Sequence, residues 1–501
     1  MASSIIRGRH VVCRVDPAGR PVIVDDGAVF QRDGRIVEIG PFADISRKHE
    51  ADPTIGSGDD VVLPGLVNSH HHLGITPFQH GVPDLPLELW LAARIGMRDV
   101  DPYLDTLYSA FEMIASGVTT VQHLHGRGPP PLARMHASAK AVIRAYEAIG
   151  MRASYSYGIR DQNRLVYGDD DAFAASLPPV LGDRFRAWLR EQIIPVDDCI
   201  ALFETLHAEY RSSERIRIQL APVNLQWCSD QTLARIRDLA ERHDVPIHMH
   251  LLETPYQKDY AAQRTGGIGA VVHLDRLGML GPRLTLGHAV WVTENEIGRL
   301  AETGTCVCHN CSSNIRLQSG KAPIDALLAA GVPVAIGIDE AGINDDRDMI
   351  QEMRLVASAH RMPGHSRTGP GAAETLRMAT EYGARTTPFG AHIGTLEPGR
   401  AADMAVVPMR AFAEPYLDES VPIVDAVLQR TRRGGVSTVI VAGEVVYDHG
   451  RFTRVDRDAV LAELSAALRQ PLSDAERARR ETSASLMPHV RKFYEGYGPV
   501  S

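Results

Sequence analysis

Short apolar runs alternate with segments of helical period from about residue 61 to residue 395. This alternation predicts repeated βα units and a parallel sheet. Eight apolar runs are present, and eight strands close a (β/α)8 barrel of the TIM type. The predicted strands are Val61–Asn68, Thr119–His123, Arg152–Tyr157, Ile216–Val223, Pro246–Leu251, Leu284–His288, Thr305–His309 and Val332–Asp339.

The two ends of the chain instead show short alternating strands separated by Gly turns. Residues 1–60 and 400–455 are therefore predicted to pair into one small β-sandwich domain. The expected α/β fold has its barrel over residues 61–399, and residues 456–501 form a C-terminal helical extension. A long segment between the third and fourth predicted strands, residues 160–213, is expected to form a lid or an oligomer contact.

Composition narrows the class of protein. Of the 501 residues, 44% are hydrophobic and 23% are charged, and no apolar run approaches the roughly 18 residues of a membrane helix. Arginines interrupt Met1–Asp16, so no secretory signal is expected there and a cytoplasmic enzyme is predicted. A net charge of −9 without a basic run argues against a nucleic-acid partner. The six cysteines are too irregularly spaced for a disulfide framework and are expected to be thiols.

Histidines cluster where the first predicted strand ends. The run Pro64–His72 contains three consecutive histidines, and the two-residue period of a strand places His70 and His72 on one face. Two imidazoles that project together at the C-terminal end of a barrel strand can chelate one borderline cation. The pattern therefore predicts a metal site at this rim.

The ends of three later strands carry matching polar groups. On the fifth, His248 and His250 share a face, and His250 is favoured because it lies nearer the rim, with Glu253 in the loop that follows. His248 is expected to be a core histidine. The sixth strand ends at His288 and the eighth at Asp339. A carboxylate at the end of strand eight can ligate the metal and accept a proton from bound water.

Five motifs together resemble the amidohydrolase superfamily over about residues 5–455, in its mononuclear aminohydrolase and chlorohydrolase branch, which includes guanine, adenosylhomocysteine and triazine-type deaminases. They are PGLVNSHHHLG, HLLET, GHAVWVT, CHNCSSNIRLQSG and GIDEAGINDD. The resemblance implies that Glu253 is the proton shuttle to a substrate ring nitrogen and that His288 positions the attacking water or the developing oxyanion. The metal ligands that it implies are His70, His72, His250 and Asp339.

The resemblance also bears on the number and kind of metal ions. The dinuclear branch bridges its ions with a lysine on strand four, but Ile216–Val223 contains none, so one ion is expected. Three imidazoles and a carboxylate favour zinc, although iron(II) or manganese accepts the same set. A thiolate zinc site at Cys306, Cys308 and Cys311 is not expected, because no fourth soft ligand is suitably spaced.

The expected reaction is hydrolytic deamination of a small purine-, pterin- or triazine-like heterocycle, without an organic cofactor. Hydrolysis of a cyclic amide, imine or carbon–halogen bond is the alternative, and a non-catalytic scaffold is an alternative of another class. Two departures from relatives, at His309–Cys311 and Gly337–Glu340, weaken any assignment of the substrate. A homo-oligomer is expected by resemblance. The candidate substrate contacts in the loops are Gln79, Trp90, His125 and His309.

Overall fold

The computed structural model describes residues 3–126, 130–365 and 369–497. Five strands precede the parallel sheets and belong to a separate sheet. They are β1 (Ser3–Val15), β2 (Pro21–Arg32), β3 (Arg35–Pro41), β4 (Thr54–Gly56) and β5 (Asp60–Pro64).

The parallel strands form two sheets. They are β6 (Leu66–His71), β7 (Val118–His125), β8 (Arg152–Ile159), β9 (Ile216–Ile218), β10 (Ala221–Pro222), β11 (Ile247–Leu251), β12 (Leu284–His288), β13 (Cys306–His309) and β14 (Val334–Ile336). The first sheet contains β6 to β10 and the second contains β11 to β14. Because all pairs are parallel, the carboxyl ends of the strands in each sheet share one edge.

Isolated parallel bridges join the two sheets at both of their edges. At one junction Leu220 pairs with Ile247, and Asn224 pairs with His250. At the other, His71 pairs with Asp339, and the Asp339 N–H donates to the His70 carbonyl at 2.8 Å. The carboxyl end of β6 is thereby held beside the residues after β14, and the carboxyl end of β11 beside the residues after β10.

The remaining strands come from the C-terminal part of the chain and join the first five. They are β15 (Met404–Pro408), β16 (Thr438–Val441), β17 (Glu444–Asp448) and β18 (Arg451–Phe452). All nine strands form one hydrogen-bonded sheet, in which β15 pairs antiparallel with β5. Both chain ends thus contribute to one sheet.

Three predicted strands differ clearly from those observed. The run Ile216–Val223 divides into β9 and β10. The run Val61–Asn68 divides at Gly65, because its first part joins the sheet of the chain ends and its second part is β6. A β-carbon on Gly65 would lie 2.2 Å from Oγ1 of Thr119, so only glycine permits this close approach. The eighth strand, predicted over Val332–Asp339, is shorter in the structure. It spans only Val334–Ile336, and Asp339 lies beyond it with a φ of +64°.

Twenty α-helices lie between and after these strands in the described ranges. They are α1 (Phe42–Lys48), α2 (Leu87–Ala93), α3 (Pro102–Ala115), α4 (Leu132–Ile149), α5 (Asp170–Ser176), α6 (Pro179–Gln192), α7 (Val196–Tyr210), α8 (Asp230–His243), α9 (Pro255–Thr265), α10 (Ala270–Arg276), α11 (Glu294–Thr303), α12 (Cys311–Arg316), α13 (Ile324–Ala329), α14 (Met349–Ala359), α15 (Ala372–Ala379), α16 (Glu381–Arg385), α17 (Arg410–Ala413), α18 (Ile423–Arg430), α19 (Arg457–Leu468) and α20 (Asp474–Tyr494). Short 3₁₀ helices lie at Arg94–Gly96 and Leu225–Trp227.

Local signals set the ends of several helices. Thr293 and Glu296 form a capping box at the start of α11, and Ser473 with Glu476 forms another at the start of α20. Each box satisfies backbone N–H groups that have no partner within the helix. Gly304 ends α11 in the left-handed region, at a φ of +70°.

The C-terminal helix α20 packs over the long segment that follows β8. Leu486, Val490 and Tyr494 of α20 are buried in one cluster with Phe173 of α5 and Phe185 of α6. The segment at residues 160–213 and the C-terminal extension are therefore packed against each other. None of the helices in the described ranges has the length and apolar character needed to cross a membrane.

Candidate metal centre and active site

Three imidazoles meet at the carboxyl ends of β6 and β11. The Nε2 atom of His70 lies 3.0 Å from Nε2 of His72 and 3.1 Å from Nε2 of His250, and the last two atoms are 3.2 Å apart. Oδ1 of Asp339 lies 3.3 Å from Nε2 of His72 and 3.7 Å from Nε2 of His70. Four candidate ligand atoms from three parts of the chain thus converge on one point.

Hydrogen bonds at the opposite ring nitrogens orient two of these imidazoles. Nδ1 of His72 donates to the Leu124 carbonyl and Nδ1 of His250 to the Val223 carbonyl, each at 2.8 Å. With the proton on Nδ1, the lone pair of Nε2 is directed to the common point. Burial, reinforced by the neighbouring imidazoles, holds the pKa of His70 and His250 well below its usual value. Their rings are therefore neutral, as metal ligands must be.

The spacing of the donor atoms fits one divalent ion. Two nitrogens that each lie about 2.0–2.1 Å from a tetrahedral ion are roughly 3.3 Å apart. The three Nε2 separations, from 3.0 to 3.2 Å, are close to this value. The chemistry and spacing of the donors therefore fit a single borderline metal ion.

His248, expected to be a core histidine, is buried and supports His70. Its Nε2 lies 2.8 Å from Nδ1 of His70. Burial lowers the pKa of His248 to about 3, so the ring is neutral and Nε2 can accept a hydrogen bond from Nδ1 of His70. The alternation of His248 and His250 on one strand face was the available signal for this contact.

Gly337, directly after β14, leaves the space that His70 occupies. A β-carbon on Gly337 would lie 2.4 Å from Cβ of His70 and 2.4 Å from Oδ1 of Asn310. We expect Gly337→Ala to displace His70, to lower metal content and to cost about 1–3 kcal/mol of stability. Metal analysis and denaturant unfolding measure both effects.

Gly298→Ala is the matched control for this substitution. Nothing lies within 4 Å of a β-carbon added at Gly298, which is inside α11. The Gly298→Ala protein is expected to keep the wild-type metal content and to gain up to about 1 kcal/mol of stability. A Gly337→Ala protein with the wild-type metal content and stability would contradict the close-packing argument.

Four non-glycine residues in three turns at the rim adopt left-handed backbone conformations. They are Leu252 at a φ of +50°, His288 at +70°, Ala289 at +46° and Asp339 at +64°. Each such residue costs on the order of 1–3 kcal/mol, and this strain concentrates at functional sites. The three turns direct the Glu253, His288 and Asp339 side chains to the same region.

Glu253 lies in the loop after β11 and is 4% exposed. Its Oε1 atom is 3.7 Å from Nδ1 of His288. Burial raises the pKa of Glu253 to about 7, against the opposing effect of His288. A carboxyl group with this pKa is present in both protonation states near neutral pH, as a group that donates and accepts protons requires.

Polar residues after β13 hold His288 and Asp339. Nδ1 of His288 donates to Oδ1 of Asn314 at 2.8 Å, and Nδ2 of Asn310 donates to Nε2 of His288 at 3.2 Å. Ser313 donates to Oδ2 of Asp339 at 2.6 Å, and the same oxygen is 3.7 Å from Nε2 of His288. The contributions of Asn310 and Ser313 were missed from the sequence, although the polar run after strand seven indicated them.

Neighbouring imidazoles counteract the effect of burial on the pKa of Asp339. Burial alone raises the pKa of this carboxyl, but His72, His288 and the hydrogen bond from Ser313 hold it below its usual value. Asp339 is therefore an anion at neutral pH. An anion in this position can bind a cation or accept a proton from water.

The four candidate substrate contacts have different environments. Gln79 is exposed and donates to the Tyr108 hydroxyl at 3.1 Å. Trp90 is buried, with the Arg94 guanidinium 4.6 Å from its ring centroid. The other two are also buried: His125 lies 3.1 Å from the Ser138 hydroxyl and His309 lies 3.0 Å from His360. None of these contacts brings the four residues into one group.

The cysteines near the rim do not come together in the described part of the chain. All six are free and buried. Cys308 lies near His70 and His248, whereas Cys311 lies near His309 and His360.

The fold and the convergent polar groups are those of a metal-dependent hydrolase. Residues 61–446 match the amidohydrolase family, and the chain belongs to that family. It is an enzyme that hydrolyses carbon–nitrogen bonds other than peptide bonds, by hydrolytic deamination of a small nitrogen heterocycle. Both conclusions confirm the expectations drawn from the sequence.

Three similar proteins carry names that describe deaminases. A 5-methylthioadenosine/S-adenosylhomocysteine deaminase from Syntrophobacter fumaroxidans is 32% identical over 456 residues, 90% of this chain and 94% of that protein. A 5'-deoxyadenosine deaminase from Methanosarcina mazei is 31% identical over 473 residues, 93% of this chain and 98% of that protein. The crystal structure of an adenosine deaminase from Xanthomonas campestris with bound zinc has a TM-score of 0.75 and 26% identity, and covers 96% of this chain and 99% of that one.

Proposed function

We propose that this enzyme deaminates the adenine ring of a nucleoside altered at its 5' position, with one zinc ion. The observation that carries the proposal is the convergence of His70, His72, His250 and Asp339 beside Glu253 and His288. The substrate class is supported by the two relatives, whose names describe 5-methylthioadenosine, S-adenosylhomocysteine and 5'-deoxyadenosine deaminases.

The proposed metal ligands are three imidazoles and one carboxylate. Nε2 of His70, His72 and His250 with Oδ1 of Asp339 would hold the ion, which supplies a Lewis acid that lowers the pKa of water. Zinc is the favoured ion because it accepts this mixed nitrogen and oxygen set. A single ion is favoured because strand four, Ile216–Val223, offers no bridging lysine.

Three residues carry out the proposed proton transfers. Asp339 accepts a proton from water as the water oxygen adds to the ring carbon that bears the amino group, and Glu253 donates a proton to the adjacent ring nitrogen. His288 orients the water. When the bond to the amino nitrogen breaks, Asp339 returns its proton to the departing ammonia, and the remaining hydroxyl proton restores Glu253.

We also propose a division of the chain into three domains. The two parallel sheets form one (β/α)8 barrel over residues 61–399, supported by the bridges at both of their junctions. Residues 1–60 and 400–455 form the composite β-sandwich domain, supported by the sheet that both ends share. Residues 456–501 form the helical extension.

An ammonia-release assay tests the proposed reaction. The panel contains adenosine, 5'-deoxyadenosine, 5'-methylthioadenosine, S-adenosylhomocysteine, guanine, a pterin and an aminated triazine, and a chlorotriazine is tested in parallel for chloride release. We expect ammonia and the matching inosine product in equal amounts from at least one 5'-altered adenosine. Chloride from the chlorotriazine without ammonia from any adenosine would overturn the proposal.

A further inference from the structure

The Glu253 side chain owes its position to the backbone that carries it. Within the described ranges no side chain donates a hydrogen bond to its carboxylate, and the contact with His288 is 3.7 Å long. The preceding residue, Leu252, has a left-handed φ of +50°. Whatever fixes the backbone from Leu252 to Thr254 therefore fixes the carboxylate.

Hydrogen bonds hold this backbone from two sides. The Leu252 carbonyl accepts from the Val290 and Trp291 N–H groups, at 3.1 and 3.0 Å. The Glu253 N–H donates to Oε1 of Gln257 at 2.9 Å. The first pair of bonds comes from the loop after β12, and the last comes from a side chain of α9.

Tyr167 links this loop to α2. Its hydroxyl donates to Oε1 of Glu88 at 2.9 Å and accepts from Nε2 of Gln257 at 3.3 Å. The same Glu88 oxygen accepts from the Thr254 hydroxyl at 2.5 Å. Glu88, Gln257 and Tyr167 are all buried, so these groups have little access to water as an alternative partner. The partner of the Glu253 N–H, Gln257, and the partner of the Thr254 hydroxyl, Glu88, are thus linked through the Tyr167 hydroxyl.

The end of α20 holds Tyr167. The Tyr494 hydroxyl accepts from the Tyr167 N–H at 3.2 Å, and the Tyr497 hydroxyl donates to the Tyr167 carbonyl at 2.9 Å. The rings of Tyr167 and Tyr494 pack edge to face, with centroids 5.3 Å apart. The last turn of α20 and Tyr497, just after it, therefore fix the backbone of the residue whose hydroxyl reaches Glu88 and Gln257.

We propose that Tyr167 is a positioning residue for Glu253 and that the end of α20 supports the active site by holding Tyr167. The proposal rests on the proposed role of Glu253 as the proton shuttle. Tyr494 and Tyr497 fix Tyr167, Tyr167 fixes Gln257 and Glu88, and these fix the backbone on either side of Glu253. A displacement of the shuttle lowers the rate of the chemical step more than it weakens substrate binding.

Tyr167→Phe tests the proposal because it keeps the ring and removes both hydroxyl contacts. We expect kcat to fall by about 10- to 100-fold while KM stays within about twofold and the metal content is unchanged. A double variant, Tyr494→Phe with Tyr497→Phe, is expected to lower kcat in the same direction. A loss confined to KM would overturn the proposal.

Tyr260→Phe is the matched control. The Tyr260 ring lies 6.2 Å from the Tyr167 ring, and its hydroxyl accepts from Asn163 at 3.2 Å and from Gln162 at 3.4 Å. This variant also loses two hydrogen bonds, but neither of them leads to Glu253. We expect its kcat to equal that of the wild-type enzyme. Equal losses of kcat in Tyr167→Phe and Tyr260→Phe would show a general packing effect and overturn the proposal.

Hydrogen exchange at the Glu253 amide separates this proposal from the proposed function. The measurement uses the whole metal-loaded enzyme and needs no substrate. We expect faster exchange at Glu253 in Tyr167→Phe but not in Tyr260→Phe. Unchanged exchange in Tyr167→Phe would overturn the positioning role even if ammonia is released. Faster exchange in an enzyme that releases no ammonia from the panel would support the positioning role and contradict the proposed reaction.

Discussion

Glu253→Gln is expected to lower kcat by about 10²- to 10⁴-fold, the usual contribution of a proton-transfer group. The amide has nearly the same shape as the carboxyl, but it cannot donate a proton to the substrate ring nitrogen and recover it. Because Glu253 is not among the four proposed ligands, metal content is expected to stay near one ion per chain. Steady-state kinetics together with metal analysis of the same sample measure both quantities.

Glu352→Gln is the control for this change. Glu352 is also buried, and burial raises its pKa to about 7, as it does for Glu253. Its Oε1 accepts from the Ser312 N–H at 2.9 Å and its other oxygen contacts the Ser312 hydroxyl, so an amide can keep both contacts. We expect full activity from this variant. Substantial turnover by Glu253→Gln, or an equal loss in Glu352→Gln, would remove Glu253 from the proposed role.

The convergence at the rim could be predicted because it follows from strand geometry. The two-residue period places His70 and His72 on one face, and a closed barrel of parallel strands has the ends of its first and fifth strands at one rim. The choice of His250 over His248 followed from its position nearer the rim. In the structure Nε2 of His250 does face the other two rings, whereas His248 contacts His70 from behind.

Strand ends were harder to predict than strand positions. The apolar run Val61–Asn68 gives no periodic signal of the division at Gly65, because both halves are buried. The approach of Thr119 to Gly65 is a tertiary contact, and no local pattern encodes it. Asp339 lies beyond the end of β14 for a similar reason, since its bridge partner His71 is distant in the chain.

The environment of Glu253 could not be read from the sequence for the same physical reason. Glu88, Tyr167 and Tyr494 are far apart along the chain, and each alone has the character of an ordinary core or surface residue. The helical period of the C-terminal tail predicted a helix but not the surface that it covers. Packing of α20 on the segment after β8 brings Tyr494 onto Tyr167, beside the loop that carries Glu253.

Loss of a proposed ligand is expected to abolish both metal binding and activity. His250→Ala removes one of three imidazoles and leaves His70 and His72 without their partner. We expect the affinity for zinc to fall by more than about 100-fold, since loss of an outer-sphere partner alone costs 10- to 100-fold. Turnover is expected to fall to background in the same sample, and ammonia release with metal analysis measures both.

His360→Gln is the control for this variant. His360 is buried and lies 3.0 Å from His309, in a second group of potential ligands that also contains Cys311. The substitution leaves the proposed metal site intact, and we expect one zinc ion per chain and wild-type turnover. Loss of zinc in His360→Gln together with retention of zinc in His250→Ala would show that the ion binds the second group, and would contradict the proposed metal site.

Anomalous diffraction at the zinc edge, from crystals of the zinc-loaded enzyme, locates the bound ion. We expect one strong peak per chain, within bonding distance of Nε2 of His70, His72 and His250 and of Oδ1 of Asp339. A peak beside His309, Cys311 and His360 instead, or no peak between the three rim imidazoles in an active enzyme, would contradict the proposed metal site.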